Sequence, residues 1–106
     1  MQPFKYLTDS IAVAGQLQPE DLLRAREAGF KTILNNRPDA EELAQPEHST
    51  MGKAAQEQGL DYHFRPVVAG NLTDDNVAEF KRLLPQLEQP VLMFCRTGTR
   101  CTHLWA

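Results

Sequence analysis

The stretch VLMFCRTGTR at residues 91–100 predicts both the fold of this chain and the place of its chemistry. Residues 91–94 are apolar and β-prone, as in a buried strand, and Cys95 follows at the end of that strand. Gly98 then permits backbone angles that a side chain would forbid. We expect a strand, a short loop and the start of a helix, and in such a loop successive backbone N–H groups form an anion-binding nest.

Cys95 is predicted to be a thiolate nucleophile on the floor of this loop. An ordinary thiol has a pKa of about 8.5, and a helix N-terminus with arginines nearby lowers that value to about 3.5–7.5. Arg100 can close the ring with a two-pronged contact to an oxyanion. The other loop residues expected to bind substrate are Arg96, Thr97, Gly98 and Thr99. The alternative is a buried structural cysteine followed by a polar turn.

The chain upstream of this loop alternates between strands and helices. Strands are predicted at 4–7, 11–14, 31–35, 62–67 and 91–94, and helices at 19–28, 40–59 and 74–87, with another helix starting after the loop. This order predicts one α/β domain over residues 1–106, with a mainly parallel sheet and helices on both faces. Ligand sites in such sheets lie beyond the C-terminal ends of the strands. Three segments at strand ends are therefore expected to meet: NRPD at 36–39, VVAG at 67–70 and CRTGTR at 95–100.

Composition restricts the function and the location. The 106 residues carry a net charge of −3, which argues against general nucleic-acid binding, and 42% of them are hydrophobic, as in ordinary globular proteins. No apolar run is long enough to cross a bilayer, and the first residues lack the basic and apolar regions of a signal peptide. Two cysteines without such a signal favour a reducing compartment, so a cytoplasmic protein is expected. The scattered histidines and the cysteine spacing predict no metal or other cofactor.

The loop sequence CRTGTR resembles the active-site loop of cysteine phosphatases and rhodaneses. With AGQ at 14–16, GFKTILNNRPD at 29–39, PV at 66–67 and LW at 104–105, the whole chain resembles the phosphatase-like domain of bacterial beta-lactamase hydrolase-like proteins. The resemblance implies a cysteine-phosphatase fold of the dual-specificity type. It also implies a partner, because the family's domain occurs alone or fused to a metallo-beta-lactamase-fold hydrolase of the persulfide dioxygenase type.

The spacing within the loop departs from the tyrosine-phosphatase pattern. Those phosphatases have five residues between cysteine and arginine, whereas four residues separate Cys95 from Arg100. Cys101 occupies the position of the phosphatase arginine. A loop that is one residue shorter makes a tighter cradle, nearer the length used by rhodanese-like sulfurtransferases.

The acid that tyrosine-type phosphatases use is also missing from its usual place. They bring an aspartic acid after a strand like YHFRPV, where this chain continues VAGN. A positioned acid is worth about 10²–10⁴ in rate. Asp39 is the best substitute, since Asp74 and Asp75 follow the expected N-cap Thr73 and are expected to serve the start of a helix.

Sulfur transfer requires fewer catalytic groups from the protein than hydrolysis of a phosphate ester does. The thiolate would attack the outer sulfur of thiosulfate or of a persulfide, hold it as a Cys95 persulfide and pass it to another thiol. The leaving group is already a stable anion, so no strong acid is required. The short loop and the missing acid therefore favour a sulfurtransferase acting in sulfide detoxification. Two alternatives stay open: a phosphatase that uses the same residues with a displaced acid, and a non-catalytic module that binds phosphorylated or sulfated ligands.

Three further residues allow two interpretations each. Cys101 is either a resolving thiol for Cys95 or a small residue that packs the first turn of a helix. Arg37 either reaches the site from its strand end or forms a structural ion pair with Asp39. Arg96 either steers anions toward the loop or is merely solvated.

The end of the chain lies close to the loop. Only about six residues remain for the last helix, and isolated helices of that length are marginal. Phosphatase-like domains normally continue with further helices on this face. The domain is therefore expected to be C-terminally truncated, or to be covered by another chain, as in a homo-oligomer.

Overall fold

Short β-prone runs pair into one five-stranded sheet in the computed structural model, which describes residues 4–68 and 71–105. The strands are β1 (Lys5–Thr8), β2 (Ile11–Ala14), β3 (Thr32–Asn35), β4 (Asp61–Phe64) and β5 (Val91–Phe94). Their order across the sheet is β1-β2-β5-β3-β4, in which β1 runs antiparallel to β2 and the other pairs are parallel. The predicted mainly parallel sheet is confirmed, and β5, which leads to the cysteine loop, lies at its centre.

Helices cover both faces of the sheet, as the alternation of elements predicts. The helices are α1 (Asp21–Glu27), α2 (His48–Glu57), α3 (Asp74–Leu83) and α4 (Thr99–Trp105), and a 3-10 turn at Leu84–Gln86 follows α3. Successive residues of a strand point to opposite faces. Leu92 and Phe94 pack with residues of α1 and α2, whereas Val91 and Met93 pack with residues of α3 and α4. Among the described residues, no helix has the length and apolar content that crossing a bilayer requires.

Helix α3 begins where the sequence predicts. Thr73 Oγ1 accepts a hydrogen bond from the backbone N–H of Asn76, and the Asn76 side chain accepts one from the backbone N–H of Thr73. This reciprocal cap satisfies two donors that a helix start otherwise leaves unpaired. The α-helix ends at Leu83, earlier than predicted, because Pro85 has no backbone N–H and the chain tightens into the 3-10 turn.

The predicted helix over 40–59 is wrong in its first part, because α2 begins only at His48. Residues 40–47, here called the acidic segment, are irregular. Gln45 accepts a hydrogen bond from the backbone N–H of Glu41 and donates to a carbonyl just before the segment. Side chains thus satisfy backbone groups that a helix would have paired, and the carboxylates of the segment are free to reach arginines in other loops.

The parallel register brings the C-terminal strand ends to one level. Ala14 and Asn35 both pair in register with Phe94 of β5. Strand β4 pairs its Phe64 with Asn35 and ends there, earlier than predicted, because a proline two residues later cannot continue the ladder. The loops that follow these strands therefore meet at one edge of the sheet. In the VVAG segment expected to join them, residues 69 and 70 lie outside the described residues.

Candidate active site

The loop between β5 and α4 surrounds the sulfur of Cys95. That side chain is completely buried, and the backbone N–H of Gly98 donates a hydrogen bond to its Sγ at 3.1 Å. Gly98 has a φ of 91°, which confirms the expected need for a glycine at this position. Helix α4 begins at the next residue, and the backbone N–H of Thr102 bonds the Gly98 carbonyl at 3.1 Å. The sulfur therefore lies where the strand ends and the helix begins.

The surroundings of Cys95 favour its thiolate form. A hydrogen bond from the Cys101 side chain contributes most, burial opposes it, and the backbones of Cys101, Thr97 and Gly98 add to it, so that the pKa of Cys95 falls to about 5. Burial raises the pKa of Cys101 well above its ordinary value, so this second thiol stays neutral. At neutral pH the two cysteines together carry one negative charge, which is on Cys95.

Cys101 is buried in the first turn of α4 and has two acceptors for its one thiol hydrogen. Its Sγ lies 3.3 Å from Asn36 Oδ1, and the Cys95 thiolate is the other acceptor. A charged acceptor makes the stronger hydrogen bond, so the thiol hydrogen favours Cys95. Asn36 is itself buried and its Nδ2 donates to the Arg65 carbonyl at 2.9 Å. Cys101 therefore packs the helix turn and contacts the nucleophile at the same time.

Arg100 is held by protein acceptors. Its Nη1 and Nη2 donate to the two carboxylate oxygens of Glu41 at 2.9 and 2.7 Å, and Nη1 also donates to the Val67 carbonyl at 2.9 Å. The hydrogen bonds to Glu41 are the largest effect that raises the pKa of Arg100, and the same bonds lower the pKa of Glu41. Both groups are therefore ionised, and they join the loop to the acidic segment.

Arg37 belongs to the same network and is almost fully buried. Its Nε donates to Glu41 at 2.8 Å, its Nη1 to Gln16 at 2.9 Å and its Nη2 to Glu42 at 3.0 Å. Of the two interpretations of Arg37, the ion pair with Asp39 is not formed, because the irregular acidic segment brings Glu41 and Glu42 to Arg37 instead. Each nitrogen of this guanidinium already donates to a protein acceptor, so Arg37 is tied to the acidic segment.

Asp39, the predicted substitute acid, is engaged at the start of α2. Its Oδ1 accepts from the backbone N–H of His48 at 2.8 Å, and its Oδ2 lies 3.7 Å from His48 Nε2. Asp74 and Asp75 lie exposed in the first turn of α3, as predicted. Within residues 4–68 and 71–105, no hydrogen bond joins these three carboxylates to the loop, and no three His, Cys, Asp or Glu side chains group as a metal site.

The remaining loop side chains lie toward the outside. Arg96 is 63% exposed and its Nε lies 2.8 Å from Glu42 Oε1. Thr97 and Thr99 bond each other through their hydroxyl groups at 3.1 Å. A groove of about 350 Å³ opens beside this part of the loop, and its lining includes Gln16, Arg96 and Thr97. An exposed arginine that pairs with Glu42 therefore borders the groove beside the loop.

Sequence reasoning missed three residues that fix the site: Glu41, Asn36 and Gln16. The sequence predicts a helix over residues 40–59, which gives Glu41 no role in the site. The signal that could have found it is charge: arginines gathered at one edge of the sheet need carboxylate partners when they are buried, and Glu41 and Glu42 follow one of those arginines closely. Asn36 and Gln16 lie in the NRPD and AGQ segments of the sequence, but a single amide in a loop carries no sign of the partner that it binds.

The sequence matches the family model described as beta-lactamase hydrolase-like protein, phosphatase-like domain, over residues 3–106. A beta-lactamase hydrolase-like protein from Xylella fastidiosa (strain Temecula1) is 33% identical over 100 residues, which are 94% of this chain. The chain spans only 23% of the length of that relative.

Solved structures share the fold. A candidate phosphatase from Neisseria meningitidis Z2491 is 37% identical with a TM-score of 0.89, over 95% of this chain and 72% of that one. The core catalytic domain of the PP-IP phosphatase of S. cerevisiae is 20% identical with a TM-score of 0.68, over 90% of this chain and 56% of that one, and this likeness shows the fold alone. The expected cysteine-phosphatase fold is confirmed. The family description and the Neisseria structure favour the phosphatase alternative over sulfur transfer.

Proposed function

Because the chain belongs to the phosphatase-like domain family of beta-lactamase hydrolase-like proteins, we propose that it is a cysteine-dependent phosphatase acting on phosphate monoesters. The observation that carries the proposal is the buried Cys95 sulfur, which has a pKa of about 5 inside a loop of backbone donors. Sulfur transfer, which the short loop favours, takes second place because the similar Neisseria structure is a candidate phosphatase.

The proposed reaction has two steps. Cys95 attacks the phosphorus of the ester, and an S–P bond forms while the P–O bond to the alcohol breaks. Water then attacks the phosphocysteine, the S–P bond breaks, and phosphate leaves as the thiolate is restored. Because the thiolate is already the resting form at neutral pH, the first step needs no base.

Charge stabilisation is assigned to the loop. Three non-bridging oxygens share the negative charge of the transferring phosphoryl group, and fixed donors around them lower the barrier. Arg100 is the cationic donor, and the backbone N–H groups of residues 96–100 supply the others. Arg96, with its exposed guanidinium, attracts the anion toward the loop.

No carboxylate is assigned to protonate the leaving oxygen. Asp39 bonds the start of α2, and the arginines around Glu41 lower the pKa of its carboxyl, which makes that group a poor proton donor at neutral pH. The best substrates are therefore esters of acidic alcohols such as phenols, because a phenolate leaves without a proton from the protein.

Cys101 is assigned two roles. Its hydrogen bond stabilises the Cys95 thiolate. It is also the resolving thiol if hydrogen peroxide oxidises Cys95: the peroxide converts the thiolate to a sulfenic acid, and the Cys101 thiol condenses with it to a disulfide as water leaves. A mass loss of two hydrogen atoms after peroxide treatment, absent from Cys101→Ala, would establish that second role.

Hydrolysis of p-nitrophenyl phosphate tests the proposed function, with Cys95→Ser as the matched inactive variant. We expect turnover by the natural chain and a phosphoryl group on Cys95 after rapid acid quench, read by intact-protein mass spectrometry. A gain of one sulfur atom from thiosulfate, discharged by cyanide and without ester hydrolysis, would establish a sulfurtransferase instead. Phosphate binding with neither reaction would support the non-catalytic module.

The partner implied by the resemblance remains a prediction. A metallo-beta-lactamase-fold persulfide dioxygenase is expected to associate with this domain, and a second copy of the chain is the other expected partner. Gel filtration of the chain alone and with such a hydrolase would test both. A cytoplasmic location likewise stays a prediction.

A further inference from the structure

We propose that Glu41 is a positioning residue that holds the Arg100 guanidinium with one two-donor edge open to an oxyanion. The inference deepens the proposed function and rests on it for the meaning of the bound oxyanion. Glu41 itself touches no substrate in this arrangement. Its effect on the reaction passes through Arg100.

The donor count of Arg100 carries the argument. A guanidinium has five N–H donors in a rigid plane. Nη1 donates one hydrogen to Glu41 and the other to the Val67 carbonyl, while Nη2 donates one to Glu41. The two remaining donors are the Nε–H and the second hydrogen of Nη2, which point the same way along one edge of the plane. Within residues 4–68 and 71–105, no hydrogen-bond acceptor meets that edge.

The open edge has the right shape for a tetrahedral anion. Two parallel N–H groups bind two oxygens of a phosphate or carboxylate at once. Glu41 accepts hydrogen bonds from Nη1 and Nη2 at the end of the guanidinium, so an incoming oxyanion does not compete for those hydrogens. Arg100 also lies within the electrostatic reach of the Cys95 thiolate, whose charge contributes to its raised pKa after the larger effect of Glu41.

Glu41 can hold Arg100 because it is itself held. Its Oε1 accepts from Arg37 Nε at 2.8 Å as well as from Arg100 Nη2 at 2.7 Å. Arg37 is buried, and its backbone N–H donates to Asn35 Oδ1 at 2.9 Å at the end of β3. A continuous chain of hydrogen bonds thus runs from the end of β3 through Arg37 and Glu41 to Arg100. Arg37 is the anchor of this chain.

A rival interpretation gives Glu41 the opposite effect. A carboxylate on an arginine can act as an internal competitor that keeps anions away. Removing its charge would then tighten anion binding. The positioning role predicts weaker anion binding instead. Without Glu41, Arg100 loses its fixed orientation, and each ligand must order the side chain again when it binds.

Binding of inorganic phosphate to the full chain, measured by titration calorimetry, separates the two. Glu41→Gln removes the charge and the two-oxygen contact, and we expect the Kd to rise about tenfold or more, as for loss of a charged hydrogen bond. Glu47→Gln removes one charge from the same segment, where the Glu47 side chain is exposed and lies outside the ion pairs of Arg37, Arg96 and Arg100, so its Kd should not rise. Tighter binding by Glu41→Gln, or equal weakening by both variants, would overturn the proposal.

Two further measurements exclude a merely structural effect. In an Arg100→Ala background, Glu41→Gln should not change the Kd further, because its action passes through Arg100. An additional loss there would contradict the proposal. If Glu41→Gln fails to fold, Glu41→Asp keeps the charge, shortens the reach and should also weaken binding; unchanged binding would overturn the proposal.

The phosphate titration also separates this inference from the proposed function. A natural chain that binds phosphate through Arg100 and Glu41 but hydrolyses no ester refutes the phosphatase and leaves Glu41 as a positioning residue. If Glu41→Gln hydrolyses p-nitrophenyl phosphate with the same kcat and KM as the natural chain, the positioning role alone is refuted. A natural chain that binds no phosphate refutes the open edge itself.

Discussion

The backbone N–H of Gly98 points at Cys95 Sγ from 3.1 Å, and it can do so because Gly98 has a φ of 91°. A Cβ at this position would lie 3.5 Å from the nearest atoms, those of Ala14, which is an ordinary contact. The difficulty for any other residue is therefore the backbone conformation and not the space. Gly98 therefore supplies one of the backbone donors that stabilise the Cys95 thiolate.

Gly98→Ala should lower stability by about 1–2 kcal/mol, the cost of a left-handed conformation for a residue with a side chain. It should also lower kcat/KM, because relaxation of the loop moves the N–H away from the sulfur. Gly29→Ala is the matched control, since Gly29 has a φ of 96°, no atom within 4 Å of its added Cβ, and a place outside the site. We expect similar losses of stability in urea titrations but loss of activity only for Gly98→Ala. Equal kcat/KM in the two variants would refute the dependence of activity on the Gly98 N–H.

The absence of an assigned acid predicts a steep dependence on the leaving group. In a series of substituted aryl phosphates, kcat/KM should fall strongly as the pKa of the phenol rises, because the oxygen leaves without a proton. Alkyl phosphates should lie below the aryl ones by a further factor of about 10²–10⁴, the usual worth of a positioned acid. Asp39→Asn should leave this slope as it is, because Asp39 bonds the His48 backbone and an asparagine oxygen accepts the same hydrogen bond. A flat series that becomes steep in Asp39→Asn would make Asp39 the acid after all.

The thiolate should depend on its neighbour Cys101. The rate of alkylation of Cys95 by iodoacetamide should follow a titration with a midpoint near the pKa of about 5. Cys101→Ala removes the largest cause of that low pKa, so the midpoint should move upward; Cys101→Ser keeps a donor and should move it less. Mass spectrometry of the alkylated peptides identifies the reacting cysteine. An unchanged midpoint in Cys101→Ala would show that the backbone donors suffice.

The lowered pKa of Cys95 also predicts that the stability of the fold depends on pH. The pKa of Cys95 is about 5 in the folded chain and about 8.5 for an ordinary thiol in the unfolded chain. A group whose folded pKa is depressed stabilises the fold fully above its unfolded pKa and loses that contribution as the pH falls toward the folded value. The free energy of unfolding of the natural chain, relative to Cys95→Ser, should therefore increase between pH 5 and about pH 8.5. A constant difference across that range would contradict the depressed pKa.

Local signals made part of this molecule predictable. The apolar run of β5, the glycine after Cys95 and the Thr73 cap each act within a few residues, and each lies where it was expected. The alternation of strands and helices was sufficient to predict the parallel sheet and the meeting of the loops. These features follow from backbone hydrogen bonding and from the two-residue period of strands, and both produce recognisable patterns in the sequence.

The network around Arg100 could not be predicted in the same way. Glu41 and Arg100 are 59 residues apart, and the acidic segment has the composition of a helix. Its carboxylates pair with Arg96 and Arg100, and these contacts exist only after the sheet has brought the loops together. Loop length by itself does not decide between phosphate hydrolysis and sulfur transfer, because backbone donors surround the Cys95 sulfur in a four-residue spacing as well.

The position of β5 has a consequence for how the protein comes to be folded. It joins two strand pairs, β1–β2 and β3–β4, and it is the last of the five along the chain. Its pairings with β2 and β3 span long stretches of sequence, and such contacts form slowly. Until β5 docks, β2 and β3 each present an unpaired edge on which other chains can assemble. During that interval Cys95 is an ordinary thiol, so its reactivity arises in the same event that closes the sheet.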